Sequence, residues 1–120
     1  MSRTPTPTEI KLRTASRILE ITFDDGAHFE LPFEYLRVFS PSAEVKGHGG
    51  GEGLLVTDKE NVGIRGVDPI GQYALRLSFD DGHYTGLYSF ALLYELGRNH
   101  GANWSRYLER CAAAGRPRRV

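Results

Sequence analysis

The side chains in this 120-residue sequence able to do chemistry at neutral pH are few. His48 lies in a glycine-rich run, and His83 directly follows Asp80-Asp81-Gly82. Neutral imidazole beside a carboxylate suits zinc or iron(II). His48 and His83, with Glu44 as carboxylate partner, therefore form a candidate metal set. The structural alternative makes His83 a strand residue beside a turn and His48 a hydrogen-bonding residue that fixes its own loop. Asp24-Asp25 and Asp80-Asp81 look like paired carboxylates, but each pair precedes a glycine, and Asp-Gly is turn chemistry. A catalytic dyad needs carboxylates that converge in a cleft. Lys46-Gly47-His48-Gly49-Gly50-Gly51 resembles a phosphate cradle only in its glycines, since no Gly-Lys-Ser/Thr ending and no evident helix start follow it. Ser40-Pro41-Ser42 is not a nucleophile elbow, which requires G-x-S-x-G at a strand-to-helix turn. The single cysteine, Cys111, excludes an intramolecular disulfide and a multi-cysteine zinc or iron–sulfur site within one chain.

These residues must be held by elements that the hydrophobic pattern foretells. Residues 1–8 are polar with Pro5 and Pro7 and read as a disordered or extended tail. Glu9–Arg13 alternates like a short edge strand. Leu19, Ile21 and Phe23 share one face of a strand that runs into Asp24-Asp25-Gly26. Ala27–Leu31 alternates after that turn, which is a hairpin pattern ended by Pro32. Phe33–Arg37 reads as a turn or two of helix. Residues 40–53 form a long loop with glycines at 47, 49, 50, 51 and 53. Val62–Ile70 and Tyr73–Phe79 are further strands, with Asp80-Asp81-Gly82 turning into His83–Tyr88. Ser89 is an N-cap for a helix that Gly97 should end, and Asn103 should cap a last helix, Trp104–Ala114, stopped by Gly115. Cys111 falls on the apolar face of that helix with Trp104, Tyr107 and Leu108. Tyr84, Tyr88, Tyr94 and Trp104 fit core packing by their spacing, with a partner-facing role as the alternative.

An internal echo organises the whole. Leu19–Gly26 (LEITFDDG) matches Leu75–Gly82 (LRLSFDDG) at a shift of 56 residues, with five of eight positions identical. Two similar sheet-plus-helix units are expected to pack together and cover each other's apolar faces. The fold class is α+β: a mainly antiparallel sheet of five or six strands, built from two related FDDG hairpin units, with about three short helices packed on it. Residues 9–115 would be the domain, and 116–120 a basic C-terminal tail.

Charge and composition narrow the partners. Net charge is zero overall, yet residues 1–17 carry +3, residues 18–97 carry −8 and residues 98–120 carry +5. An acidic body argues against nucleic acid, because phosphate contacts dominate such affinity. No apolar stretch approaches the roughly 18–20 residues needed to cross a bilayer, and the first residues carry no secretory h-region. The expected location is cytoplasmic.

Several ordered blocks carry a family likeness. These are Leu31-Pro32-Phe33-Glu34-Tyr35-Leu36-Arg37, Ser40-Pro41-Ser42-Ala43-Glu44-Val45, Gly47-His48-Gly49, Gly71-Gln72-Tyr73-Ala74, the FDDGH run at 79–83, Gly86-Leu87-Tyr88-Ser89 and Leu93-Tyr94-Glu95-Leu96-Gly97. Together they resemble the gamma-butyrobetaine hydroxylase-like N-terminal domain, a small bacterial family of unknown function, over about residues 9–115. The resemblance implies three things. In gamma-butyrobetaine and trimethyllysine hydroxylases this domain precedes an iron- and 2-oxoglutarate-dependent catalytic domain, and the catalytic iron lies in that other domain. In those relatives the small domain holds a structural zinc through a Cys-x-Cys-x-x-Cys run and a later histidine. Here the cysteine positions correspond to Ser40, Ser42 and Val45 and the histidine to His83, so the inherited zinc site reads as lost. Similar domains are also fused to P-loop iron–sulfur cluster carriers, one of them in chloroplasts. The expectation is a non-enzymatic accessory or protein-interaction module that assists iron–sulfur cluster assembly. Its partner surface would be formed by Ser40, Pro41, Ser42, Glu44, Gly47, His48 and Gly49, and its protein partner would be a P-loop carrier. The alternative is a small zinc or iron domain using His48 and His83.

Overall fold

The computed structural model describes residues 4–40, 56–81 and 86–115. The elements run β1 (Pro7–Arg13), β2 (Ile18–Phe23), β3 (His28–Pro32), α1 (Phe33–Val38), β4 (Ile64–Ile70), β5 (Ala74–Phe79), β6 (Gly86–Ser89), α2 (Phe90–Arg98) and α3 (His100–Ala113). The strands form two three-stranded antiparallel meanders, β1-β2-β3 and β4-β5-β6, rather than one continuous sheet. The arrangement is α+β, and its two halves are the two FDDG units.

Each central strand alternates as its sequence dictates. Leu19, Ile21 and Phe23 of β2 are buried, as are Leu75, Leu77 and Phe79 of β5. Strand pairing places Leu19 opposite Leu31, and Leu75 opposite Tyr88, on the core side. The inner faces of both sheets join Phe33, Tyr35 and Leu36 of α1 and Leu93 and Leu96 of α2 in one hydrophobic cluster. Each meander alone would leave such a face bare to water, so each unit needs the other. Pro69 is tolerated in β4 because that strand lies at a sheet edge.

The duplicated sequence repeats its hydrogen bonds as well as its strands. The first aspartate of each turn anchors the segment ahead of the edge strand. Thr6 N–H donates to Asp24 Oδ1 (3.2 Å), and Gly63 N–H donates to Asp80 Oδ1 (2.9 Å). The reverse backbone bonds, Asp24 N–H to Thr6 O and Asp80 N–H to Gly63 O, complete both anchors. The second aspartate reaches across to the other unit. Tyr94 of α2 donates to Asp25 Oδ2, and Arg37 Nε of α1 donates to Asp81 Oδ2 at 2.8 Å. The aspartate pairs are therefore turn formers and reciprocal latches, each helix fastened to the opposite unit's hairpin tip. Gly26, at φ +91°, supplies the left-handed residue that the first turn requires.

Two buried tyrosines brace the units. Tyr35 donates to Leu96 O (2.7 Å) and accepts from Asn103 Nδ2 (3.0 Å), so one phenol ties α1 to α2 and α3. Tyr88 of β6 donates to Leu36 O in α1. Among the described residues no buried side-chain nitrogen or oxygen lacks a partner.

Four boundaries differ from the sequence reading by two residues or more, each for a local reason. Strand β1 starts at Pro7, because Thr6 is already anchored on Asp24, so residues 7–8 belong to the sheet and not to a tail. Helix α2 passes through Gly97, where a Cβ would run into the Phe29 ring. That glycine marks a close approach of α2 to β3 rather than a helix stop. Helix α3 begins at His100, with Asn99 at its N-cap, so Asn103 is an interior residue spent on Tyr35 instead of a cap. The strand expected from Val62 begins at Ile64, because Val62 N–H closes a turn onto Lys59 O. Ser89 caps α2 as its type predicts, accepting from Leu92 N–H at 3.0 Å. Gly115, at φ +74°, follows the end of α3.

Candidate functional site

The residues the sequence singled out fall unevenly. Pro41, Ser42, Glu44, Val45, Gly47, His48, Gly49 and His83 lie outside the described residues, as does Tyr84. Their flanks are described, and those flanks meet at one pole of the molecule. Ser40 ends the chain leaving α1, Val56 resumes after it, and Asp81 and Gly86 bracket the β5–β6 turn.

Helix α1 is the hub of this pole. Its Arg37 guanidinium pairs with Asp81 (2.8 Å) and lies 6.0 Å from the Phe79 ring centroid. Lys59 Nζ approaches the same Asp81 oxygen at 2.7 Å. One carboxylate thus gathers the helix, the stretch before β4 and the second hairpin. These side chains are largely shielded, 11% exposed for Arg37 and 18% for Asp81, so solvent screens the pair less than a surface pair.

Ser40 sits inside this construction. It is 6% exposed, and its hydroxyl hydrogen-bonds the Tyr88 phenol. Burial pushes the Tyr88 phenol far above its ordinary value, against a smaller opposing effect of Ser40. Of the four positions that correspond to the relatives' zinc ligands, Ser40 is the described one. A buried hydroxyl engaged with a phenol does not fit a thiolate's place in a zinc cage.

Beside the polar node lies an aromatic patch. Tyr35 is its floor, with Phe39 at 5.0 Å, His100 at 4.3 Å and Trp104 at 6.2 Å between ring centroids. Trp104 stacks on Tyr107 at 4.9 Å, and Tyr107 faces Phe39 at 6.4 Å. Tyr107 donates to Val56 O (2.7 Å), which places the patch at the point where residue 56 rejoins the fold. Phe39, His100 and Trp104 are half-buried, and Leu108 beside them is exposed. Burial lowers the His100 pKa below its ordinary value. Burial raises the Tyr107 phenol, with the neighbouring Cys111 adding to the effect. Cys111 itself is buried on the inner face of α3.

Sequence reasoning found Trp104 and Tyr107 by helical spacing but missed Phe39, His100, Arg37 and Lys59. Starting α3 at His100 extends the stripe 104, 107, 111 one turn earlier, and that was the available signal. Lys59 has no local signature, because its partner Asp81 is 22 residues away in the chain.

Two packed meanders, mutually latched helices and a partly exposed aromatic pole define a small two-unit α+β domain. Residues 10–94 match the family described as gamma-butyrobetaine hydroxylase-like, N-terminal, and the chain belongs to that family. Two solution structures determined by NMR are similar. One is 51% identical with a TM-score of 0.85, covering 100% of this chain and 91% of that one. The other is 46% identical with a TM-score of 0.82, covering 97% and 91%. A crystal structure of a protein with unknown function, of the DUF971 family, from Acidithiobacillus ferrooxidans is 38% identical with a TM-score of 0.65, covering 77% and 92%. No curated protein matches this chain. No helix among the described residues is long and apolar enough to cross a membrane.

Proposed function

We propose that this domain is a non-enzymatic accessory module that docks a protein partner through the α1/α3 pole. The observation that carries the reading is the aromatic patch of Phe39, His100 and Trp104, set on buried Tyr35 at the root of residues 41–55. Partly exposed aromatic rings on a rigid floor are the side chains that dominate protein–protein binding energy. The aspartate pairs, which the sequence marks as turn formers, serve as anchors and latches. Fusion of similar domains to P-loop iron–sulfur carriers, implied by the family resemblance, supplies the partner class. Ser40 acts here by holding α1 to β6, with residues 41–49 as the contacting segment.

The test is affinity capture of the tagged protein from its host, repeated with Trp104→Ala and with Tyr73→Ala. Tyr73 is 58% exposed and precedes β5, at the end of that strand away from Asp81, so it controls for loss of an exposed ring elsewhere. Recovery of a P-loop carrier by the wild type and by Tyr73→Ala, but not by Trp104→Ala, supports the proposal. Recovery of no cluster-assembly protein, with normal iron–sulfur enzyme activities in a deletion strain, refutes it.

A second reading, a zinc or iron(II) site using His48 and His83, is favoured by one observation. The segments bearing these histidines spring from flanks that Arg37 and Tyr88 hold together. Elemental analysis of native-purified protein and of His83→Ala separates it from the first.

A further inference from the structure

The outer face of the first sheet brings together three side chains of metal-ligating type, none of them among the residues of the docking pole. Glu20 of β2 stands directly opposite Glu30 of β3, and Thr22 stands opposite His28. The turn at Asp24-Asp25-Gly26 sets this register, so the cluster is built by the hairpin itself. One donor atom from each of Glu20, His28 and Glu30 lies within 4.8 Å of the others. His28 Nε2 is 3.6 Å from Glu20 Oε1.

From this geometry we infer that Glu20, His28 and Glu30 form a binding site for a first-row divalent cation of zinc type, with the remaining positions open to water. Two donors on a tetrahedral zinc ion stand about 3.3 Å apart, given bonds of roughly 2.0–2.1 Å. The Glu20–His28 separation is within a few tenths of that. Glu30 is exposed, so its carboxylate is the ligand able to rotate toward the ion while Thr22 holds the His28 ring.

Two further features favour a cation here. Like charges directly opposite across a strand pair repel, and Glu20 and Glu30 are such a pair. Arg13 engages Glu20 through Oε2, which offsets one of the two charges and leaves Oε1 turned toward His28. The second feature is independent of charge. His28 Nδ1 lies 2.8 Å from Thr22 Oγ1. Thr22 can accept the Nδ1 proton, and in that tautomer Nε2 presents its lone pair on the side of Glu20. Metal-ligating histidines almost always give their other nitrogen to such a partner, which fixes tautomer and direction. Thr22 is thus a positioning residue, and the three ligands are an imidazole and two carboxylates, a donor set suited to zinc. A bound ion would staple β2 to β3 on the face away from the core.

The inference stands apart from the proposed docking function and shares no residue with it. The experiment is titration of the purified chain with Zn2+ at pH 7.5, read by calorimetry and by 15N chemical shifts of the histidine rings. Expected is one ion per chain at this site, a coordination shift at His28 Nε2 and a melting temperature that rises with zinc. His28→Ala and Glu30→Gln, both at exposed positions, should abolish or greatly weaken it while the amide spectrum stays folded. Thr22→Val should weaken binding by roughly tenfold. Absence of any His28 shift at millimolar Zn2+ overturns the inference. Zinc binding unchanged in His28→Ala but lost in the His48→Ala/His83→Ala double variant overturns it equally, and moves the metal to the other histidines.

Discussion

Tyr88→Phe isolates the brace between the docking pole and the second sheet. The ring stays in the core, so no apolar burial is lost and no cavity opens. What disappears is one hydroxyl that donates to Leu36 O and accepts from Ser40. The Leu36 carbonyl then lies buried without its Tyr88 donor, and the Ser40 hydroxyl loses the phenol. A net hydrogen bond contributes about 1 kcal/mol, and an unsatisfied buried group costs about 1–3 kcal/mol. The Ser40 hydroxyl can rotate, which recovers part of its share, so the expected loss is about 2–3 kcal/mol. For a domain of this size that lowers the melting temperature by on the order of 10 °C. Ser40→Ala should cost only about 1 kcal/mol, because Tyr88 still donates to Leu36. Combined with Tyr88→Phe, it should add almost nothing, since the shared bond is already gone. Urea unfolding of the two single variants and the double variant measures all three quantities. A Tyr88→Phe variant within about 0.5 kcal/mol of wild type, or a double variant whose losses simply add, would refute the reasoning.

Other consequences are open to similar measurements. Gly97→Ala gains about 1 kcal/mol of helix propensity, but its methyl meets the Phe29 ring, which Phe23 and Tyr94 hemmed in at 5.9 and 5.6 Å. Overpacking of this kind costs about 1–3 kcal/mol, so denaturant unfolding should show a net loss, and a more stable variant would contradict the close approach. At alkaline pH, Tyr35, Tyr88 and Tyr107 all have pKa values raised by burial above the ordinary 10.0. The unfolded chain therefore gives up these protons first, and stability falls as pH rises above 10 by about 1.4 kcal/mol per unit for each phenol. Tyr88→Phe should make that fall shallower, and an unchanged slope would count against it. On the acid side, the lowered His100 pKa means the unfolded chain takes up a proton first below pH 6.5. Stability should drop as pH falls through that region, and His100→Gln should flatten the drop in pH-dependent melts.

Much of the scaffold was legible because its signals are local. Alternation in Leu19–Phe23 and Leu75–Phe79, the two Asp-Asp-Gly turns and the Ser89 cap each need only a few neighbouring residues to be read. The duplication announced two units, and the repeated anchors at Thr6 and Gly63 show that the hydrogen bonds were copied with the sequence. The failures share a physical origin. Gly97 and Asn103 carry the propensities of a stop and a cap, but contacts with Phe29 and Tyr35 outweighed them. Arg37 and Lys59 have no local pattern that points to Asp81, since long-range ion pairs are set by packing. The Glu20–His28–Glu30 cluster was readable in principle. Fixing the hairpin register places all three on one face, opposite the apolar face that dominates the alternation. Ser40 is the described residue of the expected partner surface, and it works from inside, through Tyr88.

The docking pole is tested most directly by mapping chemical shifts on an amide spectrum of this chain during titration with a P-loop iron–sulfur carrier from the same host. Saturable changes centred on Phe39, Ser40, Lys59, Asp81, His100 and Trp104 are predicted, with Tyr73 and the outer face of β2 and β3 unmoved. Changes centred on Tyr73 or on that sheet face, or no changes at all, would contradict the account.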